Sequence, residues 1–254
     1  MRQDGKNLFL GVAIDTKPLS VLTSQALSVI DNRKSQVVFA CANPHSLVVA
    51  QTDRTFSGAL NNADQVVADG VGVTMMAKVA GVQVGPRITG TDYFLALMGA
   101  LNRRGAGRIF FLGSSEKVLN LIVQKFPREF PKLELSGTLS PPFRSWTSAE
   151  NASIIAAINA ARPDILWVGM TAPKQEKWVY ENRDKLAVPV VGSIGAVFDF
   201  FAGTYPRAPN WMCRIGMEWA YRLIKEPRRM WRRNILSSPI FVALVLWRHV
   251  FGVE

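Results

Sequence analysis

The chain has 254 residues, 48% of them apolar and 19% charged, enough to bury one α/β core of ordinary size and too apolar for a disordered tail or a fibre. Its 30 Lys and Arg against 19 Asp and Glu give a net charge of +11, which calls for a polyanionic partner: nucleic acid, anionic lipid or a phosphorylated substrate. Two cysteines, Cys41 and Cys213, and two histidines, His45 and His249, exclude a disulfide framework and a Cys/His zinc set, and point to a reducing compartment.

From the N-terminus, a short apolar run meets acid at Asp15, without the longer apolar core and small-residue cleavage site of a secretory signal, so no export is expected. Short apolar runs then recur at 37–43, 66–69, 108–113, 164–170 and 188–196, each bounded by Gly, Asn or Asp. Runs of this length predict buried parallel strands whose carboxyl ends open into loops. Between them, amphipathic stretches predict helices at 18–32, 46–62, 71–80, 91–103, 115–126 and 148–161, the last entered through Thr147, Ser148 and Glu150 as a capped N-terminus. The alternation predicts an α/β fold, a Rossmann-like core with a mainly parallel sheet and ligands at the carboxyl ends of its strands.

The last stretch differs in kind. Residues after Pro206 carry 9 basic and 3 acidic side chains, and the residues up to it carry 21 and 16, so under a fifth of the chain holds over half of the net charge. Prolines at 206, 209, 227 and 239 divide it into predicted helices at 210–225, 228–236 and 239–251. Four of the seven tryptophans, Trp211, Trp219, Trp231 and Trp247, interleave with Arg214, Arg222, Arg228, Arg229, Arg232 and Arg233. The apolar run Pro239–Trp247 is nine residues, against the roughly 20 that span a bilayer. Basic and aromatic residues together compose an interfacial helix, with about 1 kcal/mol of attraction to anionic lipid per Arg. The alternative is a core of tryptophans under a solvated arginine face. The expected division is a core over residues 1–205 and a helical, basic, membrane-associating appendage over residues 206–254.

Five segments carry candidate chemistry. Asn43, before Pro44 at the end of the first long run, either orients a ligand hydroxyl or caps the following helix; His45 reads as a structural histidine. Asp69, ending a run and followed by Gly70, reads as a general base at the mouth of the sheet or as an Asp-Gly turn. Met75 stands where the dinucleotide fingerprint needs its third glycine, which disfavours nicotinamide binding. Arg87, Gly90 and Asp92 lie where a basic residue leads into a helix N-terminus suited to phosphate, Asp92 alternatively being a first-turn acid. Lys174 and Gln175, behind Pro173, suit a polar ligand or an exposed helix start. Gly195 sits in a run of small residues that lets a ligand approach the backbone, and Val191 excludes a nucleophile elbow there. No Asp-x-Asp pair and no Walker lysine motif occurs, so arginines and backbone are expected to hold phosphate.

With these segments in view, the chain resembles the WecG/TagA/CpsF family of bacterial glycosyltransferases. The strings that carry the resemblance run in order along nearly the whole chain: Ala42-Asn43-Pro44, Ala63-Asp64, Asp69-Gly70-Val71-Gly72-Val73, Arg87-Ile88-Thr89-Gly90-Thr91-Asp92, Phe111-Leu112-Gly113, Gly169 to Trp178, Gly195 to Asp199, Arg207-Ala208-Pro209, Glu218-Trp219, Tyr221-Arg222-Leu223 and Glu226-Pro227-Arg228-Arg229. Cys41 and Ala68 depart from it, standing where many members have Thr and Pro.

The resemblance implies sugar transfer from a UDP-sugar to a polyprenyl-diphosphate-linked saccharide at the cytoplasmic face of the bacterial inner membrane, with inversion and with neither cofactor nor required metal. It makes Asp69 the general base and Asn43 and Gln175 pocket residues, to which Arg87, Gly90, Asp92 and Gly195 are added as substrate-binding. It makes Arg214, Arg222, Arg228, Arg229, Arg232 and Arg233 the groups of a membrane-docking, diphosphate-binding appendage. The wording Asn43-Pro44-His45-Ser46 and Ser140-Pro141-Pro142-Phe143 resembles exopolysaccharide-pathway members, which gives UDP-glucose as the expected donor. The alternative is N-acetylmannosamine, or its uronic acid, passed to a lipid-linked N-acetylglucosamine. A polyanion- or membrane-binding protein is the non-enzyme alternative and a nucleotide-sugar oxidoreductase the other rival. Nucleic acid is not expected as a partner, and self-association is left open.

Overall fold

The computed structural model describes residues 5–206, 208–209, 211–212, 217–225, 227, 231 and 236–251. Its centre is a six-stranded parallel sheet in the order β4-β3-β8-β7-β5-β6, formed by β3 (Val37–Ala42), β4 (Gln65–Ala68), β5 (Arg108–Leu112), β6 (Glu134–Leu139), β7 (Ile165–Val168) and β8 (Val190–Ser193). The five expected strands are β3, β4, β5, β7 and β8. Both faces of the sheet are covered, which is why these strands read as continuous apolar runs. Val38, Ala40, Ala42, Phe110, Leu112, Leu166 and Val168 enter one core; Val37, Phe39, Ile109, Phe111, Ile165 and Trp167 enter the other, alternating along each strand.

The first core is closed by α2 (Pro44–Ala50), α3 (Arg54–Asn61), α4 (Val71–Val79), α7 (Ser148–Ala161) and α8 (Lys174–Asn182). The second is closed by α1 (Leu19–Asn32), α5 (Gly90–Arg104), α6 (Glu116–Glu129) and α9 (Val197–Ala202). The stretch predicted as one helix over 46–62 is two helices. The chain leaves α2 at Gln51, and Asp53 then caps α3 by accepting the Phe56 N–H at 3.0 Å.

Besides the short helix α9, two features lay outside the expected pattern. The hairpin β1 (Lys6–Phe9) and β2 (Val12–Asp15) turns through Leu10 and Gly11, both at positive φ, 50° and 78°, the two-residue turn that matches strand twist. The edge strand β6 has no apolar run because its side chains are half-exposed rather than covered on both faces.

The final segment contains α10 (Glu218–Lys225) and α11 (Ser237–Phe251). Phe241 and Val245 of α11 are each 1% exposed and join the first core with Leu47, Val73 and Phe9. The last helix is thus docked on the core rather than held apart from it. At its start Ser237 Oγ lies 2.8 Å from His45 Nδ1, and near its end Arg248 donates to Gln51 Oε1 at 2.9 Å. Among the described residues no helix is long and apolar enough to cross a membrane.

Candidate active site

The chain builds β3 and β4 at one side of the sheet and then crosses over to β5, so the connections diverge beside β3 and β8. That is the switch point where doubly wound sheets bind ligands. A cleft of about 490 Å3 opens there, within the range of small-molecule sites. It is lined from four strand ends: Cys41 and Asn43 at the end of β3, Asp69 and Gly70 after β4, Met170 to Ala172 after β7, and Ser193 to Ala196 at β8. Of the expected core site residues, Asp69, Asn43, Arg87, Gly90, Gln175 and Gly195 all line this cleft.

Local hydrogen bonds explain how each arrives. The Asp69 N–H donates to the Ala42 carbonyl at 2.9 Å, continuing the β3–β4 pairing and setting Asp69 beside the end of β3. Gly70 follows at φ +100°, a conformation that a side chain would strain, and starts α4. Asn43 follows the capping reading. Its Oδ1 accepts the Ser46 N–H at 2.9 Å and caps α2, while the residue as a whole faces the cleft. The Arg87 loop is tied to the sheet by the Ile88 N–H, which donates to the Ala68 carbonyl at 3.1 Å.

Asp92 does not line the cleft. Its carboxylate accepts the Thr89 N–H at 3.0 Å, and Thr89 Oγ1 accepts the Asp92 N–H at 3.2 Å, a capping box that starts α5. The first-turn reading of Asp92 is the one its hydrogen bonds support. Gly90, in the same turn, admits Val197 and Cys41: a Cβ there would lie 3.3 Å from Val197 Cγ2 and 3.6 Å from Cys41 Sγ.

Glu176, inside the string Gly169 to Trp178 and given no role above, also lines the cleft. Gln175 and Glu176 are 4% and 6% exposed. Gln175 Nε2 donates to Glu176 Oε1 at 2.8 Å, and Gln175 Oε1 is buried without a hydrogen-bond partner. The signal was slight, because Lys-Gln-Glu-Lys has the composition of an exposed helix start. The β8 loop approaches Gln175, where a Cβ on Gly195 would stand 3.5 Å from its amide, and Glu176 lines the cleft with that loop.

Burial, followed by the charges of Asp69, Glu176 and Asp92, pushes the Cys41 thiol well up, so the cleft holds a protonated thiol and not a thiolate nucleophile. His45 is bonded to Ser237 as noted, in keeping with a structural role. Among the described residues, no group of three His, Cys, Asp or Glu side chains is arranged to hold a metal ion.

The C-terminal segment supplies the remaining wall through Trp219, Ser238, Phe241 and Val242. Arg214, Arg228, Arg229, Arg232 and Arg233 lie outside the described residues, and Arg222 is located only by its backbone in α10.

A family model described as glycosyl transferase WecG/TagA/CpsF matches residues 7–253. The chain belongs to that family. The membership expected from the ordered strings therefore holds, and this family member is a glycosyltransferase. A Bacillus subtilis (strain 168) relative described as an N-acetylglucosaminyldiphosphoundecaprenol N-acetyl-beta-D-mannosaminyltransferase is 32% identical over 215 residues, covering 85% of this chain and 81% of its own length. A relative of the same description from Bacillus spizizenii is 30% identical over 233 residues, covering 92% and 87%. One from Staphylococcus aureus (strain MW2) is 25% identical over 234 residues, covering 92% and 89%.

Proposed function

We propose that this glycosyltransferase moves an N-acetylmannosamine residue from UDP-N-acetylmannosamine to a polyprenyl-diphosphate-linked N-acetylglucosamine, acting peripherally at a membrane surface through the segment 206–254. This reading replaces glucose transfer in exopolysaccharide synthesis, because the relatives just described are N-acetylmannosaminyltransferases. The strings behind the glucose expectation do structural work: Asn43 caps a helix, and Pro142 belongs to a loop whose carbonyl accepts the Trp146 indole N–H at 2.8 Å.

The observation that carries the mechanism is the position of Asp69, at a strand's carboxyl end and facing the cleft with Asn43 and Gln175. Asp69 takes the proton of an acceptor hydroxyl as that oxygen bonds to the anomeric carbon. The bond from that carbon to the UDP oxygen breaks on the opposite face, and one in-line displacement inverts the centre. Charge on the departing UDP is met by Arg87 and backbone N–H groups, joined by the arginines between 214 and 233.

The test is a panel of UDP-sugars offered with polyprenyl-diphosphate-linked N-acetylglucosamine, reading product mass with and without chelator. Addition of N-acetylmannosamine, unaffected by chelator, is expected. Preferential transfer of glucose would return the earlier reading, and loss of product with chelator would overturn the metal-free mechanism.

A further inference from the structure

One corner of the cleft is apolar and does not end inside it. Met75 of α4 and Val242 of α11 line the cleft and are 61% and 39% exposed. One helical turn further along each helix stand Val79, 49% exposed, and Leu246, 45% exposed; a second turn along α11 stands Val250, 71% exposed. Residues four apart lie on one face of a helix, about 5.4 Å along its axis, so these side chains form two rows that begin in the cleft.

Both helices start at the cleft. The starts of α2 and α11 are joined by His45 and Ser237, and their ends by Gln51 and Arg248. The start of α4 lies at the same place, since a Cβ on Gly72 would stand 3.5 Å from Pro44. Neither α4 nor α11 contains an acidic residue. Methionines at 75 and 76 give the beginning of the strip the adaptable surface that suits a flexible chain. Exposed apolar side chains grouped on neighbouring helices suit an interaction site, and their origin in the cleft that Asp69 lines limits what can occupy it. A protein or bilayer resting on the outer faces of the helices would not need apolar side chains inside the reaction cleft.

We propose that the strip between α4 and α11 is the binding track for the isoprenoid chain of the acceptor, running from Met75 and Val242 at the cleft to Val79, Leu246 and Val250 at the surface. The inference rests on the lipid-linked acceptor in the function proposed above. A hydrocarbon chain makes no hydrogen-bonding demand and gains by removing these side chains from water, while its diphosphate end stays among the polar groups of the cleft.

Two measurements test the track in the full chain. A benzophenone-bearing farnesyl diphosphate analogue, used below its aggregation threshold, is expected to photolabel peptides 71–79 and 237–251 and to be competed by farnesyl diphosphate. Labelling elsewhere, or none, overturns the proposal, and this readout needs no sugar transfer. The Val79→Asp and Leu246→Asp variants, both at exposed positions and checked for folding by circular dichroism, are then assayed with soluble farnesyl- and ethyl-diphosphate-linked N-acetylglucosamine. The donor is whichever UDP-sugar the wild type uses. A KM rise of about tenfold for the farnesyl acceptor, with the ethyl acceptor unchanged, is expected from the loss of one apolar contact surface. Equal effects on both acceptors, or none on either, would also overturn it. A wild type that labels on the track yet transfers no N-acetylmannosamine would sink the donor reading and leave the track standing.

Discussion

Carboxylates at the two ends of the sheet do opposite work. Toward the amino ends, Asp15, Asp64 and Asp164 accept the backbone N–H groups of Val66, Val38 and Arg108, each at 2.8 Å, and each pairs with a cation: Lys17, Arg183 and Arg33. At the carboxyl ends, Asp69 and Glu176 face the cleft. The cause is the polarity of parallel strands. Their amino ends present N–H donors that a carboxylate satisfies, whereas their carboxyl ends present carbonyls that it cannot bond. An acid beside an apolar run is therefore a structural cap at the amino end and a cleft-lining residue at the carboxyl end.

The substitution that tests this contrast hardest is Asp69→Asn. Transfer is expected to fall by roughly 10²–10⁴-fold with the unfolding temperature unchanged, and full turnover would remove Asp69 from the role of base. Next is Glu176→Ala, which takes away the acceptor of the Gln175 amide. Steady-state kinetics should show about a tenfold loss of kcat/KM for the UDP-sugar, and a loss of stability without that kinetic change would make Glu176 merely structural. At the other end, Asp164→Ala leaves the Arg108 N–H without its acceptor. Urea unfolding should register a loss of about 1–3 kcal/mol while kcat/KM stays at the wild-type value.

The smallest effect is expected at Asp15, whose carboxyl is pushed up from 3.8, chiefly by burial. A carboxyl with a raised folded pKa binds its proton more readily in the native state. Its contribution thus favours folding at low pH and is lost as pH rises through the folded pKa. In Asp15→Asn, urea midpoints measured from neutral pH down to about 4 should lose that contribution to the slope; an unaltered slope would show that Asp15 is not its source.

Much of this arrangement was legible along the chain. The runs at 37–43, 66–69 and 108–113 became β3, β4 and β5, because strands covered on both faces have no polar alternation to obscure them. Asp69 stood out because it ends such a run. The helix at 148–161 was bounded by its capping box, which is a local signal. By contrast β6, an edge strand with Gly137 in its middle, has no run to read. Glu176 looked exposed because nothing within its own helix shows that α8 packs against α3 and β8.

Residues far apart in the chain decided the rest. Hydrophobic periodicity, glycines and caps act within a few residues of themselves, so the sequence alone determined the α/β class, five of the six strands of the sheet and the family. Pairing Val37 with Val190 and docking Phe241 and Val245 beside Leu47 depend on which surfaces meet. Only that tertiary packing turned Asp69, Gln175 and Glu176 toward one cleft and gave it an apolar corner built from the last helix.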